Sequence, residues 1–183
     1  MNITDKKKKK KISKKNLPSF AYYIKLNALA YHITYIEASE IDIINIREAV
    51  VKGMHTCASE IINQLQEKQI PPLEDQDPYF LMVDGNDFPP YHHDGERIPY
   101  QTFLQGDNAY ANIAAASILA KAARDDYIID LCKKYPILAE CYEMHNHKGY
   151  GTKKHLEAIE KFGVTQFHRV SFGLCKHARS FII

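Results

Sequence analysis

Apolar residues recur along this chain in two rhythms, and the rhythm sets each element. After Ser39, Glu40 and Asp42, the residues Ile46, Ala49, Val50, Met54, Cys57, Ala58, Ile61 and Leu65 recur at a spacing near 3.6. A long amphipathic helix is expected there. Gly53 lies inside it at a cost of about 1 kcal/mol against Ala, which implies a neighbour packed closely at that point. The same period runs through residues 112–134, where Ile118, Ala122, Ile129 and Cys132 share a face and Pro136 stops the helix. A third helix is expected over residues 153–162, closed by Gly163, and another over 19–30 behind Pro18.

The second rhythm is extended. Residues 30–36 alternate loosely and carry β-branched and aromatic side chains, so a strand is expected. Residues 79–83 form a continuous apolar run between Pro78 and Gly85, the pattern of a buried strand. Residues 100–104 read as another short strand. The polar stretch 86–96, with two prolines, reads as a loop, and 71–78 as a turn-rich linker. Strands alternating with helices indicate an α/β or α+β domain.

Bulk properties narrow the class. The chain has 183 residues, enough for one domain with a real core. No apolar run approaches the ~20 residues of a membrane span, and no apolar stretch follows the N-terminal lysines as a secretory signal would require. Net charge is only +2, but residues 6–11 are six consecutive lysines with Lys14 and Lys15 close behind. Such a block reads first as a solvated tail, with phosphate contact or a nuclear address as the other readings. The expected organisation is a lysine-rich flexible tail over 1–16 and a single domain over 17–183. Cys57, Cys132, Cys141 and Cys175 form no Cys-x-x-Cys pair, so a reduced intracellular compartment is the simpler expectation over a zinc ribbon.

Several residues could carry chemistry. Asp84 ends an apolar strand, where a rigidly held carboxylate suits a metal ligand, although Asp-Gly also favours a plain turn. Asp107 follows Gly106 shortly before the second long helix, as a turn residue or a distant cap. Asp125 and Asp126 read as a solvated face. His145 and His147 form a His-x-His pair that lacks a third zinc ligand at matching spacing. Gly149 and Gly151 bracket Tyr150, and an aromatic pinned in a loop can stack on a base or sugar. His92, His93 and Asp94 read as a solvated loop. His168 and Arg169 precede Ser171 and Phe172, with a packed, hydrogen-bonded cluster as the plain alternative.

Order and spacing join these signals. Val83-Asp84-Gly85, Gly106-Asp107, the run Ile113-Ala114-Ala115-Ala116-Ser117-Ile118-Leu119-Ala120-Lys121 and Arg124-Asp125 stand in register with the ribonuclease HII family. His147-Lys148-Gly149-Tyr150-Gly151-Thr152 and His168-Arg169-Val170-Ser171-Phe172-Gly173 continue the resemblance. Upstream, Glu40-Ile41-Asp42 with Asn45-Ile46 is similar to that family's strand-to-helix junction. Residues 10–15 resemble its Ser-Lys-Lys-Leu-Ser element with extra lysines.

The resemblance implies a ribonuclease H-like α/β fold, a mixed sheet flanked by helices. It implies an endonuclease that cuts the RNA strand of RNA–DNA hybrids through two Mg²⁺ or Mn²⁺ ions held by four carboxylates. Asp84 and Asp107 match the third and fourth of these. Tyr150 matches the tyrosine that packs against the nucleotide at the RNA–DNA junction. Ser117 and Lys121 lie on the helix that approaches backbone phosphate, and Lys148 and Arg169 are further phosphate contacts. The first two acids belong to an Asp-Glu-x-Gly-Arg-Gly motif on the family's first strand, and this chain contains no such motif. Its only adjacent acidic pairs are Glu74-Asp75 and Asp125-Asp126. The expectation is therefore an N-terminally truncated fold with half of its metal ligands absent and its sheet edges unpaired, marginal in stability when alone. Three outcomes follow: an enzyme whose missing strands come from an upstream start, a spliced or frameshifted product or a separate chain; an inactive nucleic-acid-binding remnant; or a non-functional fragment or interaction protein with the same architecture. The expected location is cytoplasmic, with the nucleus as the alternative.

Overall fold

The computed structural model describes residues 13–70 and 78–181, and of Lys14 only the backbone. The lysine run at 6–11, the acidic pair Glu74-Asp75 and most of the 71–78 linker lie outside the described residues. The chain folds as a helix-rich α/β structure. Helices α1 (Leu17–Asn27) and α2 (Ala38–Glu67) come first. Four short strands follow: β1 (Leu81–Asp84), β2 (Tyr91–His93), β3 (Glu96–Ile98) and β4 (Tyr100–Phe103). Then come α3 (Ala111–Lys134), two single-turn helices α4 (Ile137–Glu140) and α5 (Met144–His147), and α6 (Lys153–Phe162).

Among the described residues the sheet is two parallel strands, β1 beside β4, with Val83 opposite Thr102 and Asp84 opposite Phe103. Strands β2 and β3 form a separate antiparallel hairpin, with Tyr91 opposite Ile98. That hairpin corrects the loop expected over 86–96. Its turn is Asp94-Gly95, both at positive φ (50° and 84°), the Asp-Gly turn whose twist matches a two-residue hairpin. Tyr91 and Ile98 are buried with Val83, Phe88, Ala58 and Ile62, so the hairpin lids the β1–α2 contact.

The segment 30–36 forms no strand. It is extended but lies antiparallel along α2, whose side chains take the place of a sheet neighbour. Lys68 Nζ donates to the Leu29 carbonyl at 2.5 Å and Gln64 Nε2 to the Tyr31 carbonyl at 3.2 Å. Cys57 Sγ lies 3.7 Å from the His32 carbonyl oxygen. The expected strand is thus not formed, because the segment's polar partners are side chains of a helix and not a neighbouring strand.

Helix α2 is kinked. Asn45 sits at φ 67°, outside helical space, and its Oδ1 accepts from the backbone N–H groups of Arg47 (2.9 Å) and Glu48 (3.1 Å). Asn45 thus caps a second helical segment within the run. Beyond the kink the buried positions are Ala49, Val51, Ala58 and Ile62, whereas Ile46 and Val50, expected on the buried face, are exposed. Arg47 then forks onto Asp87, with Nε–Oδ2 at 2.6 Å and Nη2–Oδ1 at 2.9 Å, and fixes the loop that follows Asp84.

Helix α3 is buried along both ends. Leu119 and Ala122 pack on Ala21 of α1, while Ile128, Leu131 and Cys132 pack on Leu138, Tyr142, Met144, Ala158, Ile159 and Val164. Ile129, expected on the buried face, is exposed. The four cysteines are free, and no helix among the described residues is long and apolar enough to cross a membrane.

Gly53 does not mark a close approach. A Cβ built there meets only Ile36 Cγ1 at 3.9 Å, an ordinary van der Waals contact. Gly53→Ala should therefore stabilise the chain by about 1 kcal/mol, through helix propensity and a less flexible unfolded state. Urea denaturation reads this out, and a lowered midpoint would contradict it.

Candidate active site and nucleic-acid interface

The acidic corner is built by β1, β4 and the turn before α3. The β1–β4 pairing continues past the strands through the Gly85 N–H, which donates to the Phe103 carbonyl at 2.9 Å. Asp84 is thereby held at the open end of the pair. Its Oδ1 accepts from the Gly106 N–H at 2.8 Å, across 22 residues of sequence. Gly106 opens the 3₁₀ turn Gly106–Asn108, which carries Asp107. A side chain at Gly106 would collide with Ile113 Cδ1, since its Cβ would lie 2.7 Å away. The glycine therefore allows Asp107 to be brought next to the residue that anchors Asp84. Asp84 is exposed and Asp107 half-buried, so both carboxylates remain open to a ligand.

Two carboxylates supply few oxygens for hard cations that take six or more ligands each. Among the described residues no three His, Cys, Asp or Glu side chains are grouped to hold a metal ion. The described residues thus do not by themselves fit a two-metal centre, and no reaction step is derived through one.

Helix α3 begins three residues after that turn and carries Ser117 and Lys121 one turn apart. Lys121 Nζ donates to Ser117 Oγ at 2.7 Å, which pairs the ammonium and the hydroxyl on one helical face. Asn112, at the start of α3, caps its own next residue, with Oδ1 accepting from the Ile113 N–H at 3.0 Å.

Tyr150 and Arg169 come together elsewhere. A groove of about 480 Å³ runs between α3, the 149–151 loop, α6 and the C-terminal segment, with the start of α2 as its far wall. Tyr150, Arg169, Arg124, Tyr35, Tyr127 and Phe172 line it; neither Asp84 nor Asp107 does. Tyr150 is 64% exposed, so its ring is available at the rim. The Arg169 guanidinium lies 4.5 Å from the centre of the Phe172 ring. Lys148, expected as a phosphate contact, lies outside the groove lining, and its Nζ donates to the His145 carbonyl at 2.6 Å. A phosphate would first have to displace that bond.

The C-terminal wall is fixed by a residue that local sequence could not single out. The Asp42 carboxylate accepts from the Val170 N–H (2.7 Å), the Ser171 N–H (2.9 Å) and the Ser171 hydroxyl. Burial pushes its carboxyl up, but the hydrogen bonds from Ser171 and Val170 outweigh this and hold it below the usual range.

Three histidines pack together at the groove, two of which, His155 and His168, line it. His147 is stacked on His155 at 4.6 Å between ring centres, and His155 Nε2 is 3.2 Å from His168 Nε2. Both His147 nitrogens are engaged, Nε2 with the Tyr142 carbonyl at 2.6 Å and Nδ1 with the Gly149 N–H at 3.2 Å. The His-x-His zinc reading thus finds no free imidazole nitrogen at His147. The packed-cluster reading of His168 is the one the structure supports. His93, expected in a solvated loop, is instead half-buried with Nδ1 3.2 Å from the Tyr91 hydroxyl.

The ribonuclease HII family model matches residues 2–175 of the chain. The chain belongs to the ribonuclease HII family. It is 40% identical over 163 residues to a protein named ribonuclease HII from Oceanobacillus iheyensis, covering 89% of this chain and 54% of the relative. It is 39% identical over 151 residues to the ribonuclease HII of Phocaeicola vulgatus, covering 82% of this chain and 65% of that protein. The ribonuclease HII of Parabacteroides distasonis is 39% identical over 165 residues, 90% of this chain and 72% of the relative. The chain thus spans between about half and three quarters of the length of these family members.

Burial and the neighbouring His155 push the His168 imidazole down from 6.5 to about 4. The unfolded chain therefore binds more protons than the folded one between those two pH values. Stability from this group is complete above pH 6.5 and lost as pH falls towards 4, by roughly 3 kcal/mol at most. The urea midpoint should drop across that window, and His168→Gln should flatten the drop. Equal slopes in the two proteins would contradict the assignment.

Proposed function

We propose that this chain supplies two carboxylates and a nucleic-acid-binding face to an endonuclease that cuts the RNA strand of RNA–DNA hybrids. The observation that carries the proposal is the Asp84–Gly106 hydrogen bond, which locks one exposed carboxylate beside the turn bearing the other. Membership of the ribonuclease HII family supports the substrate class. The chemistry proposed is phosphodiester hydrolysis assisted by two Mg²⁺ or Mn²⁺ ions, with Asp84 and Asp107 as two of the ligands. Further carboxylates would come from residues outside those described. Tyr150 is the proposed contact to the nucleotide at the RNA–DNA junction. Lys121 with Ser117, and Arg169, are the proposed phosphate contacts, with Lys148 joining them once its own hydrogen bond is exchanged. A cytoplasmic location belongs to the same proposal.

A second reading is binding without cleavage by an inactive relative. The absence of a three-residue metal cluster among the described residues favours it. Cleavage of a labelled hybrid duplex with Mg²⁺ or Mn²⁺ separates the two. The nuclease proposal expects product from the chain and a loss of at least about a hundredfold in Asp84→Asn, the scale of removing a group that stabilises the transition state. Salt-sensitive hybrid binding with no product in either protein favours the second reading.

The phosphate contacts have their own test. The logarithm of hybrid affinity should fall linearly with the logarithm of salt concentration, because each neutralised phosphate releases counterions. Lys121→Ala and Arg169→Ala should each make that slope shallower by about 1. An unchanged slope in either variant removes that residue from the interface.

A further inference from the structure

The buried histidines form a chain of hydrogen bonds with only one possible direction. His168 Nδ1 accepts from the Thr165 N–H at 3.1 Å and lies 2.9 Å from the Thr165 hydroxyl. A backbone N–H can only donate, and a neutral imidazole has one donor and one acceptor. The His168 proton must therefore sit on Nε2. That N–H faces His155 Nε2 at 3.2 Å, so His155 accepts there and carries its own proton on Nδ1. His155 Nδ1 in turn donates to the Tyr150 carbonyl at 3.0 Å. Reversing the order would set an N–H against the Thr165 amide and a lone pair against the Tyr150 carbonyl.

We propose that His155 and His168 are positioning residues that hold Tyr150 at the groove rim through this single-tautomer relay. The inference rests on the reading of Tyr150 as a nucleic-acid contact. The relay ends on the main chain of a strained loop. Lys148 and Gly149 both lie at positive φ, 53° and 78°, and the Tyr150 N–H is tied back to the His147 carbonyl at 2.9 Å. The Tyr150 carbonyl also accepts from the Thr152 N–H at 2.7 Å, so His155 fills its second acceptor position. Thr152 Oγ1 then caps α6 by accepting from the His155 N–H at 3.4 Å. Tyr150, both relay histidines and Arg169, next in chain to His168, all line the groove.

Neutrality is part of the device. The titratable groups packed against the two rings are His147, stacked on His155 at 4.6 Å, and Tyr142, whose ring centre is 5.2 Å from that of His168, while Arg124 and Arg169 line the same groove. Among the described residues no carboxylate is hydrogen-bonded to either ring, and burial holds both imidazoles below their usual range. A proton added to His155 Nε2 would oppose the His168 N–H and break the relay.

Long-range proton–nitrogen NMR of the full chain near neutral pH reads the tautomers directly. The relay requires His168 Nδ1 and His155 Nε2 without protons, and His168 Nε2 and His155 Nδ1 with them. The opposite tautomer at either ring, or an exchange-averaged pair at His155, would overturn it. Two variants then test positioning. Gln at 155 can accept through Oε1 and donate through Nε2, whereas Leu can do neither. His155→Gln should leave the Gly149 and Gly151 amide shifts close to those of the parent and keep hybrid affinity within about twofold. His155→Leu should move those shifts and weaken affinity about tenfold, the low end of one base–aromatic stack. Tyr150→Ala should add nothing to the Leu variant. Affinity of the parent should fall as acidification protonates His155, and that of the Gln variant should not. Equal losses in Gln and Leu, or a full additional loss from Tyr150→Ala, would show that His155 does not act through Tyr150. If Tyr150→Ala alone binds hybrid like the parent, the nucleic-acid contact is what fails. The relay is then still decided by the tautomers and by the Gly149 and Gly151 shifts, which must move in Leu and not in Gln.

Discussion

Helix α3 buries apolar side chains against two separate parts of the molecule, and the place of each candidate residue follows from that. Its first half meets α1 through Leu119 and Ala122, and its second half meets the C-terminal third through Ile128, Leu131 and Cys132. Burial of this kind contributes roughly 1.5–3 kcal/mol per large aliphatic side chain, more than any hydrogen bond at the surface. The helix therefore acts as a fixed beam. The acidic corner hangs from its N-terminal end by way of Gly106 and Ile113, Ser117 and Lys121 stand on its exposed side, and Arg124 and Tyr127 reach into the groove.

Around that beam the chemistry is set by polar contacts that cross long stretches of sequence. Asp84 reaches Gly106, Arg47 reaches Asp87, and Asp42 reaches the backbone of Val170 and Ser171. Exposed pairs such as Arg47–Asp87 contribute little to stability, with a median under about 1 kcal/mol. Their consequence is geometric: each holds one loop against one rigid element. The groove and the acidic corner are thereby two separately anchored sites on a common helix.

Much of the architecture was legible because periodicity reports burial wherever one face packs on one neighbour. Helix α6 was read to its last residue from its pattern and Gly163. The strand into Asp84 was read from an apolar run between Pro78 and Gly85. The readings failed where that assumption failed. The 30–36 segment has strand composition, but its hydrogen-bonding partners are side chains of α2. Ile46 and Val50 were placed on the buried face, whereas the packed stripe runs through Val51, Ala58 and Ile62, because α2 meets the 30–36 segment as well as β1 and the hairpin. The β2–β3 hairpin was missed although Asp94-Gly95 is its turn signal, since the flanking prolines argued for a loop.

Sequence alone determined the element types, the family resemblance and the two acids at their element ends, because these depend on residues within a few positions of one another. Tertiary structure alone decided which side chains meet. His147, His155 and His168 are separated by 8 and 13 positions, a spacing with no local meaning, yet α6 and the turn at Thr165 bring them into one hydrogen-bonded stack. Lys148 looked like a free cation in sequence and is folded onto the His145 carbonyl. Asp42 gained its role only when the chain returned to it 128 residues later. The direction of the histidine relay was decided last, by the Thr165 N–H, which has no choice but to donate.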